Sequence, residues 1–325
     1  MIIGSILEND TNETRTPLTP DVVQKLTSLG HTLLIEKDIG VKSFFKNKTF
    51  EQNGAIFMPP AEIYQKADLL LQISPPSSKY LSLLTNKQIL VANFTNFKSK
   101  PLNITFIRLE KVPRTSVAQS IDILSSQDTI KGYASAIYAL SKLPTIAPLL
   151  MTSSTTLKPA KALILGASIT GLQASNVLKR NGCDVTILDI NKENFDLAKS
   201  VGATLKTPSN QEELQELIKD KNIIIGAINN NNSPNIISQK LSSYISKDAI
   251  IVDTSSNNIN IPPSSNLKFY RNTKIERLHP KSASILWANN MLNLIELITS
   301  NPKIIDLNHP ILTSMIHTRK RIKKS

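Results

Sequence analysis

Short apolar runs alternate with amphipathic stretches through the first 110 residues. The runs typical of buried strands lie at 2–7, 31–37, 55–58, 68–73, 88–94 and 104–110. The stretches between them have helical spacing, and the best defined begins at Pro20, with Thr19 in the N-cap position, and ends at Gly30. Strands that alternate with helices predict a parallel α/β sheet.

Residues 160–271 repeat this alternation more cleanly. Apolar strands are predicted at 160–166, 184–189, 222–228, 249–255 and 267–271, with helices between them. A last long helix is predicted from Ser282 to Thr299, where apolar side chains cover more than one face, as in a helix packed between two layers. The pattern therefore predicts an α/β protein with two separate sheets of related architecture.

The composition is that of a folded protein. Of 325 residues, 40% are hydrophobic and 19% are charged, which excludes wholesale disorder, and the length suggests about two domains. The apolar runs are shorter than the ~18 residues of a membrane span, and residues 1–15 lack the pattern of a signal peptide, so we expect a cytoplasmic protein. The single cysteine, Cys183, excludes an internal disulfide and a cysteine-clustered zinc site.

The net charge of +13 raises the question of an acidic partner. Five positive charges lie within the last seven residues, namely Arg319, Lys320, Arg321, Lys323 and Lys324. The sequence has no zinc-finger spacing and no RNP-like motif, and its aromatic fraction of 5% is low for base stacking, so we expect no nucleic-acid partner. The remaining interpretations are a solvated surface with a basic tail, or contact with an acidic partner or anionic lipid headgroups.

A dinucleotide-binding pattern follows the strand at 160–166. Residues 166–171 read Gly-Ala-Ser-Ile-Thr-Gly and run into a predicted helix, with Ser168 where the pattern G-x-G-x-x-G has its second glycine. Asp189 ends the next strand, 23 residues after Gly166, where an acid binds the ribose 2′-hydroxyl of NAD and repels the 2′-phosphate of NADP. We expect NAD(H) binding here; the alternative is a βαβ unit that has lost nucleotide binding.

The stretch 109–136, between the two predicted sheets, is rich in polar side chains. It contains Arg114, Gln119, Asp122, Ser125, Ser126 and Tyr133. Such a segment between two domains either lines a cleft or is a solvated linker. The four histidines are scattered without metal-ligand spacing, so we predict no metal site.

Three blocks of the chain resemble one protein family. They are VPRTSVAQSIDILSS with the following Gly132-Tyr133, then PAKALILGASITGLQA, then RLHPKSASILWANNMLNLIELI. Together with Glu13-Thr14-Arg15 and Leu18-Thr19-Pro20, they are similar to the alanine dehydrogenase/transhydrogenase family over residues 1 to about 300. Within that family, the chain most resembles the soluble NAD(H)-binding component of the alpha subunit of proton-translocating NAD(P) transhydrogenase.

The resemblance implies two Rossmann-like, doubly wound parallel-sheet domains with a cleft between them. The first would comprise residues 1–124 and 284–325, and the NAD(H)-binding domain, residues 125–283, would be inserted into it. The family also implies a homodimer and hydride transfer from NADH to NADP⁺ on a separate NADP(H)-binding beta subunit. A membrane-spanning subunit would couple the transfer to proton translocation and hold this chain on the cytoplasmic face of the inner membrane.

The resemblance also implies roles for individual residues. The catalytic set would be Arg114, Gln119, Asp122, Ser125 and Tyr133. Arg114 and Asp122 would orient the nicotinamide and its ribose, and Ser125 would bind the carboxamide. Gln119 would face the incoming NADP(H), and Tyr133 would support the loop. The cofactor-binding set would be Gly166, Ser168, Ile169, Gly171, Asp189, Ile190, Asn191 and Ala227.

Two further hypotheses stay open, a non-catalytic NAD-binding paralogue and an alanine dehydrogenase-like enzyme. Alanine dehydrogenases have a lysine where Ser74 stands and a histidine where residues 91–97 have none, which disfavours the second hypothesis. Arg15 is either a carboxylate-binding residue, as in the dehydrogenases, or a scaffold charge. The segments 226–235 and 253–261 are asparagine-rich where the family has glycine-rich loops.

Overall fold

The computed structural model describes residues 1–85, 87–95, 97, 104–228, 234–301 and 304–317, so the basic residues at 319–324 lie outside the described residues. The chain divides into two compact units. Unit 1 consists of Met1–Gln127 and Arg277–Ser325, and unit 2 consists of Asp128–Glu276. Unit 2 is thus inserted into unit 1 along the chain. The boundaries at 124/125 and 283/284 that the resemblance implies stay a prediction.

The first stretch of unit 1 alternates strands with helices, as the apolar pattern predicts. Its elements are β1 (Ile2–Ser5), α1 (Pro20–Ser28), β2 (Thr32–Ile35), α2 (Asn47–Gln52), β3 (Ala55–Phe57), α3 (Pro60–Lys66), β4 (Leu69–Leu71), α4 (Ser78–Leu81), β5 (Ile89–Ala92) and β6 (Thr105–Arg108). Thr19 occupies the N-cap position of α1, but among the described contacts its side chain makes no capping hydrogen bond. The boundary with unit 2 falls within α5 (Ile123–Lys142), a helix that the sequence pattern did not predict.

Unit 2 contains a short hairpin followed by a second α/β alternation. Its elements are β7 (Leu150–Met151), β8 (Thr156–Leu157), β9 (Lys161–Leu165), α6 (Ile169–Arg180), β10 (Asp184–Leu188), α7 (Phe195–Ser200), β11 (Thr204–Lys206), α8 (Gln211–Lys219), β12 (Ile223–Gly226), α9 (Gln239–Ser242), β13 (Ile250–Asp253) and β14 (Lys268–Arg271). Strands β7 and β8 pair antiparallel in a sheet of their own.

The chain then returns to unit 1. The returning elements are α10 (Pro280–Ile298), β15 (Thr299–Asn301), β16 (Ile304–Ile305) and β17 (Ile316–His317). Pro280 begins α10 at a position where its missing N–H costs no hydrogen bond. The helix is buried on several faces, and its residues Trp287, Met291 and Ile295 belong to the core of unit 1.

Both large sheets are wound in the same way. Among the described residues, unit 1 has the strand order β17-β6-β5-β4-β1-β2-β3, and unit 2 has the order β11-β10-β9-β12-β13-β14. All neighbours are parallel except β17, which pairs antiparallel with β6. The winding direction reverses between β1 and β4 and again between β9 and β12. Two doubly wound α/β sheets are therefore confirmed, and ligands of such sheets bind at the carboxyl ends of the strands beside the reversal.

The strands are buried on both faces, as parallel sheets require. In β4, Leu69 and Leu71 join one core cluster of unit 1 while Leu70 joins the cluster on the other face. This alternation explains why the strands are continuous apolar runs rather than apolar and polar positions in turn. Of the helices that the structure describes, none is both long and apolar enough to span a bilayer.

Candidate functional site

The fingerprint turn lies at the reversal point of the unit 2 sheet. Gly166 follows β9 with φ +103°, and a Cβ at this position would lie 2.4 Å from Cγ1 of Ile228. Gly171 lies in the first turn of α6, where a Cβ would lie 2.0 Å from the carbonyl oxygen of Gly166. Glycine is therefore required at both positions, once for the backbone conformation and once for the close packing of helix on turn.

Ser168, which replaces the second glycine of the pattern, caps helix α6. Its Oγ accepts a hydrogen bond from the Gly171 N–H at 3.1 Å and donates one to the carbonyl oxygen of Ala227 at 2.7 Å. The hydroxyl has a single proton, which is donated to Ala227 and not held free for a pyrophosphate. Ser168 thus joins the end of β12 to the start of α6.

Asp189 is held against the fingerprint turn. One carboxylate oxygen accepts the N–H of Ala167 at 2.7 Å, and the other accepts the N–H of Asn191 at 2.9 Å. Each oxygen keeps a second lone pair with which it can accept a ribose hydroxyl. The neighbouring Ile190 is 89% exposed, and Ile169 is partly exposed at the start of α6. The geometry brings the predicted cofactor-binding residues together, and their contacts with a cofactor stay a prediction.

Asn258 was not singled out by the sequence. It is fully buried; its Oδ1 accepts the N–H of Ile228 at 2.9 Å, and its Nδ2 donates to the carbonyl of Pro234 at 3.2 Å. These two partners flank residues 229–233, which lie outside the described residues and hold most of the asparagine-rich segment. One side chain therefore fixes the described residues on both sides of that segment.

Asp253 organises the second asparagine-rich segment. It is fully buried, and one oxygen accepts both the N–H of Ser255 at 3.0 Å and its hydroxyl at 2.6 Å. The other oxygen accepts the N–H of Ile259 at 3.2 Å and Nη2 of Arg271 at 3.2 Å. A Cβ on Gly226 would lie 2.4 Å from this carboxylate. A hydrogen-bonded loop thus stands where the family pattern has glycines.

The polar segment of unit 1 is anchored by buried apolar residues. Ala118 and Ile121 are buried in the unit 1 core, whereas Arg114 and Gln119 are exposed on the same segment. Asp122 directly precedes α5, and its carboxylate accepts the N–H of Ser125 at 3.0 Å and the Ser125 hydroxyl at 2.5 Å. The structure therefore brings Asp122 and Ser125 into contact as a helix cap.

Tyr133 lies further along α5 and belongs to unit 2. Its side chain is 39% exposed. The predicted catalytic set is therefore divided, with four members in unit 1 and Tyr133 in unit 2.

Arg15 is held by a buried ion pair. Its guanidinium donates to both oxygens of Glu13 at 2.7 and 2.8 Å and to Oε1 of Gln127 at 3.0 Å, and it lies 5.2 Å from the Trp287 ring. Burial raises the pKa of Glu13, but Arg15 and Arg277 outweigh that effect and hold the pKa below its ordinary value. Of the two roles that the sequence left open, these contacts favour the scaffold charge.

Glu8 lies beside the reversal point of the unit 1 sheet. Its carboxylate accepts the N–H groups of Ile73 at 2.7 Å and of Ser74 at 3.0 Å, just beyond β4. Burial raises the pKa of Glu8 to about 8, against the opposing effect of these two hydrogen bonds. Among the described residues, no cluster of three His, Cys, Asp or Glu side chains has the geometry of a metal site.

The same arrangement of domains occurs in known proteins. The model of the alanine dehydrogenase/PNT N-terminal domain matches residues 5–131, and that of the C-terminal domain matches residues 135–323. An NAD(P) transhydrogenase subunit alpha of Rickettsia prowazekii is 31% identical over 291 residues, which cover 78% of this chain and 76% of that relative.

Two solved structures share the fold. The transhydrogenase of Sinorhizobium meliloti aligns with a TM-score of 0.89 at 23% identity, over 98% of this chain and 99% of that chain. An L-alanine dehydrogenase aligns with a TM-score of 0.81 at 20% identity, over 98% of this chain and 95% of that chain. At these identities the likeness shows the fold alone.

Proposed function

We propose that this chain, which belongs to the alanine dehydrogenase/PNT family, is the NAD(H)-binding subunit of an NAD(P) transhydrogenase and takes part in hydride transfer between NADH and NADP⁺. The observation that carries the proposal is the assembly of Gly166, Gly171 and Asp189 at the reversal point of the unit 2 sheet. The name of the Rickettsia prowazekii relative supports the transhydrogenase branch of the family.

The residues of unit 2 fit the adenosine diphosphate half of NAD(H). The start of α6 presents its positive end toward a pyrophosphate, and the two required glycines let the backbone come close. The spare lone pairs of Asp189 accept ribose hydroxyls, and its negative charge disfavours the 2′-phosphate of NADP(H). The bound cofactor supplies the hydride, and these residues bind and orient it.

We propose that the polar segment of unit 1 orients the nicotinamide. In this proposal Arg114 and Asp122 position the ring and its ribose, Ser125 binds the carboxamide, and Gln119 faces the second nucleotide. Tyr133 supports the segment. Transfer between two rings depends on distance and orientation, so positioning is the main contribution these residues can make.

A second candidate is a dehydrogenase that reduces a 2-oxo acid. Such an enzyme needs a cation for the substrate carboxylate and a group that polarises the carbonyl. Arg15 is paired with Glu13 and Gln127, and Ser74 donates its backbone N–H to Glu8. These contacts support the transhydrogenase interpretation over the dehydrogenase interpretation.

The proposal includes a homodimer, and the β7–β8 hairpin is its candidate contact. Leu149, Leu150, Met151 and Leu157 are exposed there, Met151 by 72%. A lone two-stranded hairpin is marginal in water, and large exposed apolar patches mark interfaces. No charged residue occurs in the sequence from 143 to 157, apart from none that a second copy would repel at the strands themselves, so two copies of a chain with a net charge of +13 meet there without local repulsion.

We further propose that an NADP(H)-binding beta subunit and a membrane-spanning subunit complete the complex. In this arrangement, hydride transfer is coupled to proton translocation. The chain would then be cytoplasmic and peripheral on the inner membrane through those partners. The family resemblance supports this assembly.

Reconstitution tests the proposal. The purified chain is mixed with a separately prepared NADP(H)-binding component, NADH and an oxidised NADP analogue, and reduction of the analogue is followed by absorbance. NADH binding to the chain alone is measured in parallel by fluorescence. We expect both binding and transfer. Binding without transfer would identify a non-catalytic paralogue, and NADH-dependent reduction of pyruvate would identify a dehydrogenase.

A further inference from the structure

Two asparagines of α10 hold one carbonyl of the polar segment. Ser120 lies in the short 3-10 turn Gln119–Ile121, immediately before Asp122. Its carbonyl oxygen accepts Nδ2 of Asn290 at 2.7 Å and Nδ2 of Asn293 at 2.9 Å. Residues three apart on a helix lie on the same face, so both amides approach the turn from one side.

Asn290 makes a second contact beyond Asp122. Its Oδ1 accepts the hydroxyl of Ser126 at 2.7 Å, and the residue is only 8% exposed. Because the Ser120 carbonyl can only accept, the amide nitrogen must face it and the amide oxygen must face Ser126. One side chain therefore joins the residues on either side of Asp122 and Ser125.

These contacts fix what the apolar anchors leave free. Buried Ile121 and Ile123 hold the core side of the segment. Side-chain packing alone leaves the peptide groups between them free to rotate, whereas a carbonyl held by two donors defines their orientation. Asp122 and Ser125 then cap α5 from a backbone that α10 has already positioned.

We propose that Asn290, assisted by Asn293, is a positioning residue for the nicotinamide-orienting segment. Its role is to clamp the backbone around Asp122 and Ser125 so that hydride transfer occurs at a productive geometry. This inference rests on the proposed function, since the segment matters for transfer only if it orients the nicotinamide. A displacement of about 1 Å at such a site costs on the order of 100-fold in rate.

The first measurement tests the clamp without using activity. Arg114 is exposed and lies six residues before Ser120, so trypsin cleavage after Arg114 reports local opening of the segment. The variants are Asn290→Ala and Asn293→Ala, with Asn289→Ala as the matched control because its amide donates to Ile285 within α10. We expect cleavage to rise about fivefold in Asn290→Ala, less in Asn293→Ala, and not in the control. Equal cleavage of Asn290→Ala and the control would overturn the clamp.

The second measurement separates positioning from a general structural role. In the reconstituted system, Asn290→Ala should lower the transfer rate roughly tenfold or more while the Kd for NADH changes less than about twofold. Asn290→Asp should behave similarly, since it keeps the acceptor for Ser126 but turns an oxygen toward the Ser120 carbonyl. Parallel losses of rate and affinity would overturn the positioning role. If wild-type protein transfers no hydride, the proposed function fails, and the cleavage comparison still decides the clamp.

Discussion

Ser168 offers a quantitative test of how the fingerprint turn is built. The substitution Ser168→Ala removes the acceptor for the Gly171 N–H and the donor to Ala227. Loss of a serine N-cap to alanine costs typically ~1 kcal/mol. Loss of the second hydrogen bond, to the fully buried Ala227, adds about 1 kcal/mol. The expected total is therefore about 2 kcal/mol of unfolding free energy for unit 2.

Urea unfolding followed by circular dichroism measures this loss. Ser168→Thr is the matched control, because it keeps a hydroxyl at the cap position. Ser168→Gly restores the glycine of the dinucleotide pattern and should leave NADH affinity undiminished, since the Ser168 proton is donated to Ala227. A loss below about 0.5 kcal/mol in Ser168→Ala would refute the capping role. A tenfold weaker Kd for NADH in Ser168→Gly would show that the hydroxyl binds the cofactor.

Three further predictions concern other parts of the chain. Asp189→Ala should reduce the preference for NADH over NADPH in fluorescence titrations, because it removes the charge that repels a 2′-phosphate, and an unchanged preference would place the ribose elsewhere. With a folded-state pKa of about 8, above its ordinary value of 4.5, Glu8 keeps its proton in the folded state between these values, so unfolding free energy should fall as pH rises from 5 to 8. Glu8→Gln should flatten that slope in urea unfolding, and equal slopes would contradict the assignment. Met151→Asp should shift the chain from dimer to monomer in sedimentation velocity, whereas an unchanged dimer would exclude the hairpin as the contact.

The strands and the fingerprint turn were predictable because their signals are local. Each strand is a continuous apolar run, and the spacing from Gly166 to Asp189 follows from one strand, one helix and the next strand. Helix α5 was missed because polar side chains such as Ser126 and Gln127 fill its first turns, where they bond to Asn290 and to Arg15. Such a polar face resembles a linker when its distant partners are unknown.

The supporting contacts were not predictable because they join residues far apart in the sequence. Gln127 lies 112 positions from Arg15, and Asn290 lies 170 positions from Ser120. The role of Asn258 likewise depends on a partner 30 positions away, at Ile228. A sequence shows which residue types are present, whereas the choice between scaffold and ligand for a residue such as Arg15 depends on what the fold places beside it.

Isotope tracing tests direct hydride transfer, the central claim, most directly. NADH deuterated at the transferred position of C4 is incubated with the chain, the NADP(H)-binding component and NADP⁺, and the products are analysed by mass spectrometry. Direct hydride transfer predicts NADPH that carries the deuterium, with none released to water. Deuterium in the solvent, or NADPH without label, would contradict direct transfer by this chain.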